Sequence, residues 1–80
     1  MTKLRVMSGS DVVKIFEGLG FSVAKQRGSH IKLKRINDSG IRQILIIPNH
    51  KEIDRGTLKG ILNQASRYFP EAELRKHFYS

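Results

Sequence analysis

One short segment, Arg27-Gly28-Ser29-His30, followed by Lys32 and Lys34, concentrates the side chains best suited to chemistry in this 80-residue chain. An imidazole exchanges protons near neutral pH and can serve as general acid or general base. Cationic side chains beside it attract phosphate and stabilise negative charge that develops during reaction. Gly28 and Ser29 are small, so a backbone or a sugar can approach closely. The combination suits proton transfer next to a held anion. His30 is the candidate catalytic residue, and Arg27, Gly28, Ser29, Lys32 and Lys34 are candidate binding residues. The competing reading of His30 is an ordinary exposed strand residue.

Other chemistry-bearing residues are more dispersed. Arg35 and Arg42 share the region of His30 and are candidates for phosphate contact. Lys51, Arg55 and Lys59 cluster where a second helix should begin, and unpaired N–H groups there also favour anions. For every one of these cations the alternative is a solvated face. His50 is a candidate partner for a second proton transfer, or else a loop residue shaping the approach to that helix; His77 reads as a surface residue. His50, Glu52 and Asp54 are spaced as three metal ligands could be, but Asp54 is wanted as a helix cap and the remaining acids are scattered. No metal and no cofactor is therefore assigned. The absence of cysteine excludes disulfides and thiolate metal sites.

Bulk composition sets the frame for these side chains. Fifteen Lys and Arg oppose seven Asp and Glu, a net charge of +8, which favours polyanions: nucleic acid first, an acidic protein second. Eighty residues with 39% hydrophobic content make one domain with a single layer of helix on sheet. Such a domain has no deep cavity for a large cofactor, so an active site should lie on an open surface. Met1–Met7 lacks a signal-peptide core, and no apolar run approaches the ~18 residues of a membrane span. The expectation is a soluble, cytoplasmic protein with no membrane partner.

The elements that must position the site follow from period and punctuation. Ser8-Gly9-Ser10-Asp11 has the form of a capping box, and Val12, Phe16 and Leu19, with Val13 beside them, define a helix ended by Gly20. Phe21 and Val23 then alternate with Ser22 and Ala24, Arg27-Gly28-Ser29 supplies a turn, and His30 to Lys34 alternates again. Ile31 and Leu33 share one face of this hairpin, while His30, Lys32 and Lys34 share the other. Asn37-Asp38-Ser39-Gly40 turns the chain into a third strand, Ile41 to Ile47, stopped by Pro48. Asp54 caps a helix carrying Leu58, Ile61, Leu62 and Ala65, and Pro70 introduces a last helix, Glu71 to Phe78, docking through Leu74 and Phe78. The fold class is α+β in the order α-β-β-β-α(-α), a three-stranded antiparallel sheet with helices on one face. Ile44 to Ile47 are all apolar, so half of that strand faces the open side. It is either a partly buried central strand or a docking surface for a partner or a second copy.

Ser8-Gly9 with its helix, Leu19-Gly20-Phe21, Gln26-Arg27-Gly28-Ser29-His30, Asn49-His50-Lys51-Glu52-Ile53 and the run Gly56 to Ala65 together resemble the HicA toxin family, over roughly Met7 to Ser66. The resemblance makes residues 1–80 one HicA-like domain, with a core of about 7–66 and a C-terminal helical extension, 67–80. It implies the toxin of a type II toxin–antitoxin system: an endoribonuclease that cleaves mRNA without a metal and is restrained by a HicB-like antitoxin. It also implies a fold similar to double-stranded-RNA-binding domains, and the family's catalytic histidine falls on His30. Metal-free RNA cleavage needs the 2′-hydroxyl deprotonated, the phosphorane charge neutralised and the 5′-oxygen protonated. His30 can perform one proton transfer; His50, a lysine and water remain open for the other. In such a fold the Lys51, Arg55 and Lys59 cluster would be a backbone-contact site. Asp54-Arg55-Gly56 departs from the Lys-Pro-Gly common in the family, and the tail after Ser66 is longer than a minimal member needs. The competing classes are a non-catalytic RNA-binding domain and a protein-interaction module using Ile44 and Ile46, including self-association through the third strand.

Overall fold

The computed structural model describes residues 3–80. The chain runs α1 (Gly9–Gly18), β1 (Ser22–Arg27), β2 (His30–Ile36), β3 (Arg42–Pro48), α2 (Arg55–Ala65) and α3 (Glu71–Phe78). The strands form one antiparallel sheet in the order β1-β2-β3. The expected α+β order is therefore present, with the third helix formed. Along β2 and β3 the buried side chains are Ile31, Leu33, Gln43, Leu45 and Ile47, which share one face by register. They join Val12, Phe16, Leu58, Ile61, Leu74 and Phe78 in a single core. The shortest dimension, 18 Å, accommodates one layer of helices, each ~10–12 Å across, on one sheet. Among the described residues no helix layer covers the other sheet face.

Both principal helices start as their sequences dictate. The Ser8 hydroxyl accepts from the Asp11 amide at 3.0 Å, and the Asp11 carboxylate accepts from the Ser8 amide at 3.0 Å, completing the capping box. Gly20, with φ of +100°, releases the chain from α1 into β1. Asp54 caps α2 through Thr57, taking its amide at 3.0 Å and its hydroxyl at 2.6 Å. These bonds hold the carboxylates of Asp11 and Asp54 below the ordinary aspartate range, through the Ser8 amide first for Asp11 and the Thr57 hydroxyl first for Asp54.

Four features differ from the sequence reading. β1 does not alternate strictly: a β-bulge falls between Val23 and Lys25, so Ala24 and Lys25 together oppose Lys32. No residue of β1 is buried, because the helices lie over β2 and β3 and leave β1 overhanging; Val23 is 47% exposed. β3 is an edge strand rather than a central one, running from Arg42 to Pro48, with Ile41 left in the turn. The Tyr68 hydroxyl caps its outer edge, accepting from the Ile44 amide at 3.4 Å and donating to the Ile44 carbonyl at 3.3 Å. Pro48 has the same parity as Ile44, so its missing N–H falls on that outer edge, where a strand tolerates proline.

The fourth difference is Arg35, which turns toward the helices. Its guanidinium donates to the Leu19 carbonyl at 2.9 Å and to buried Gln43 at 2.6 Å. It also lies over the rings of Phe69 and Phe21, 4.5 and 5.5 Å from their centroids. Arg35 is a structural clamp, not a phosphate contact. The C-terminal helix docks as expected through Leu74 and Phe78, with the Phe78 ring 5.5 Å from that of Phe16. Backbone bonds between Lys3 and Ser80 and from Arg5 to Phe78 tie the described N-terminal residues across it.

Two outcomes follow in denaturation measurements. Arg35→Ala removes two charge-assisted hydrogen bonds and two ring contacts and should cost about 2–4 kcal/mol in chemical denaturation, whereas exposed Lys32→Ala should stay within about 0.5. Acid stability should follow the two caps. With folded pKa values depressed, their stabilisation is complete above the ordinary aspartate value of 3.8 and is lost as pH falls below it. Asp54→Ala should therefore melt at lower temperature than wild type at pH 7, with the gap narrowing below pH ~4; an unchanged gap would contradict the cap's role.

Candidate functional site

The hairpin tip is set by glycine. Arg27 pairs with His30 across a two-residue loop in which Gly28 has φ of +55° and Ser29 has no positive φ. A positive φ at the first central position alone is the type II′ pattern, whose twist suits a hairpin. A Cβ on Gly28 would meet nothing within 4 Å, so conformation rather than space demands glycine here.

Cross-strand pairs share a face of the sheet, and the register therefore shows what stands beside His30. Arg27 pairs with His30, Lys25 with Lys32, and Ser22 with Lys34. On the other side of β2, His30 pairs with Pro48, Lys32 with Ile46, Lys34 with Ile44 and Ile36 with Arg42. The open face is thus divided. Its β1–β2 half carries Lys25, Arg27, Lys32 and Lys34 around His30, and its β3 half carries Ile44, Ile46 and Pro48, with Arg42 at the far end. No strand residue is acidic. Arg27, His30 and Lys32 are exposed, and Lys34 is half-buried.

The loop after β3 is fastened to this tip. The Asn49 amide donates to the Ser29 carbonyl at 2.6 Å, and the Gly9 amide donates to the His50 carbonyl at 2.8 Å. A Cβ at Gly9 would lie 2.9 Å from the Asn49 Cα and closer still to the Pro48 carbonyl oxygen, so the start of α1 seats directly on the loop backbone. Ser8, Ser10, Asn49, His50 and Lys51 line an open depression of about 420 Å³ there. His50, two residues beyond the partner of His30, therefore stands at the same end of the sheet.

The structure does not gather all the expected binding residues. Arg27, Gly28, Ser29, Lys32 and Lys34 share the hairpin with His30, and Lys51 lies in the adjoining depression. Arg55 and Lys59 belong to the helix layer and line two other hollows: Arg55 with Arg5 and Glu52, Lys59 with Leu62 and Leu74. The hollows of Lys51, Arg55 and Lys59 are three different ones. His77 sits on α3 beside Glu73, 3.9 Å away, in the helix layer. Among the described residues no three His, Asp or Glu side chains are placed to hold a metal ion. Lys25 is the cation that sequence reasoning missed; only the bulge turns it to the His30 face, and nothing in the local composition signals a bulge.

No helix among the described residues is long and apolar enough to cross a membrane. Comparison with curated proteins and with solved structures gives no match. Comparison with protein families matches residues 9–66 to the family described as HicA toxin of bacterial toxin-antitoxin. That span starts at the first residue of α1 and ends just past α2, taking in the whole sheet and the hairpin with His30. With more than half of its length matched, and with the helix–three strands–helix order in place, this chain belongs to the HicA toxin family.

Proposed function

We propose that this protein is the toxin of a type II toxin–antitoxin pair, an endoribonuclease that cleaves mRNA without a metal, with His30 as general acid or base. The observation that carries the reading is the acid-free cationic half-face of the sheet with His30 at its hairpin end. In the proposed reaction the 2′-hydroxyl loses its proton, its oxygen attacks the adjacent phosphorus, and the bond to the 5′-oxygen breaks as that oxygen gains a proton. The products are a 2′,3′-cyclic phosphate and a 5′-hydroxyl end. His30 performs one of these proton transfers. Arg27 and Lys32 neutralise charge as the phosphorane forms, where fixed cations count most. Gly28 and Ser29 leave room for the sugar. His50, at the same end of the sheet, is a candidate for the second transfer, with a lysine or water as the alternatives.

RNA backbone contact falls to Arg27, Lys32 and Lys34, with Lys51 extending the surface past the tip. Arg55 and Lys59 form a separate basic region on the helix layer, suited to a longer RNA. The family implies a HicB-like antitoxin as the restraining partner, acting in the cytoplasm. Self-association through β3 would require a second strand to displace the Tyr68 hydroxyl from Ile44. A non-catalytic RNA-binding domain would use the same face, and it parts from the enzyme at His30.

That residue supplies the test. Purified wild type should cleave single-stranded RNA in the presence of EDTA, and His30→Ala should lose about 10²–10⁴-fold in rate. The variant should keep wild-type RNA affinity and a wild-type melting transition. In a bacterial host, induction of wild type should arrest growth and induction of the variant should not. Equal cleavage by both proteins would remove His30 from the mechanism.

A further inference from the structure

We propose that the β1–β2 hairpin is a track for the backbone of single-stranded RNA, and that Lys25 grips the phosphate next to the one held by Arg27 beside His30. The inference rests on the RNA-cleaving reading above and assigns a residue and a path to it. Its basis is the register. Arg27–His30 and Lys25–Lys32 are successive rungs on one face, and Ser22–Lys34 follows. Successive rungs are two residues apart, or about 6.6–6.8 Å along the strand. That is close to the separation of neighbouring phosphates in an extended RNA strand. Each of the first two rungs sets a β1 cation against His30 or Lys32, and the third offers a hydroxyl and Lys34. No strand carries a carboxylate, so no strand neighbour competes for these cations.

The bulge is what builds the track. Had β1 alternated without interruption from the Val23–Leu33 pair, Ala24 would have stood alone opposite Lys32. Lys25 would then have faced Ile31 on the helix side. Instead Ala24 and Lys25 share the place opposite Lys32, and every later residue of β1 changes face. Lys25 and Arg27 thereby reach the His30 side, while Gln26 pairs with Ile31 on the other. All of β1 is exposed, so neither arrangement is forced by burial of an apolar residue in the strand. The β3 half of the face, with Ile44 and Ile46, offers no cation beside these rungs and so confines the polyanion to the hairpin.

The prediction separates the position of a charge from its amount. In a His30→Ala background, which prevents cleavage, binding of a short fluorescein-labelled single-stranded RNA would be followed by anisotropy across a salt series. Lys25→Gln should weaken binding several-fold and reduce the log–log salt slope by about 0.7, the loss of one phosphate contact. Lys25→Gln/Gln26→Lys keeps the net charge but moves it to the opposite face, and it should bind as poorly as Lys25→Gln. Lys25→Arg should restore binding, and Lys14→Gln, which removes the same charge from α1, should change the slope little. Wild-type affinity in the double variant, or an unchanged slope in Lys25→Gln, would overturn the track. Because the readout is binding by a cleavage-null protein, its failure is distinguishable from failure of the nuclease reading, which the His30→Ala cleavage assay decides.

Discussion

Ile31, Leu33, Leu45 and Ile47 reach from the sheet into the same interior that Val12, Phe16, Leu58 and Ile61 reach from the helices, and this is the only apolar layer in the described residues. A chain of 80 residues has too little apolar material to build a second layer behind the sheet. One sheet face is therefore covered and the other is left to water. Since strand side chains alternate, burying Ile31 and Leu33 obliges His30 and Lys32 to face outward and leaves Lys34 on the same open side. The exposure of the candidate site is thus a consequence of core packing.

The same constraint explains why neighbouring cations on β2 have unrelated roles. Lys34 stands on the open side, whereas Arg35, one residue later, is held by Leu19, Gln43, Phe21 and Phe69. A guanidinium can occupy such a place because it is planar, stacks on rings and has several donors to satisfy. Gln43 is buried beneath it without an unsatisfied atom. The polar pair Arg35–Gln43 closes the end of the sheet remote from the hairpin tip, as Asn49, Gly9 and the Ser29 carbonyl close the other. Backbone–backbone bonds at the tip end hold the His50 loop close to His30 without spending either imidazole.

The segments outside the family-matched span are also structural participants. α3 contributes Leu74 and Phe78 to the one core, and Tyr68 occupies the β3 edge at Ile44. An edge strand rich in isoleucine is a hazard for strand-to-strand association, and covering it is a common remedy. Asp54 takes the Thr57 amide and hydroxyl, giving α2 a side-chain cap.

Much of this was legible without coordinates. The capping box of α1, the Asp54 cap of α2, the period change at Gly20, the apolar stripe of α2 and the alternation of β2 are local patterns, and they fixed the element order and the outward aim of His30. The docking of Leu74 and Phe78 was legible too, as an apolar pair at helical spacing. What local pattern could not supply was the position of the helices over the sheet. That position leaves β1 overhanging, makes β3 an edge strand and separates Arg55 and Lys59 from the hairpin. Nor could it supply the bulge at Ala24, because an exposed strand with no buried face carries no hydrophobic code for register. The sequence by itself therefore determined that a cationic hairpin presents His30. Only the tertiary structure decided which cations stand beside it, because facing is set by strand pairing and packing, not by residue type.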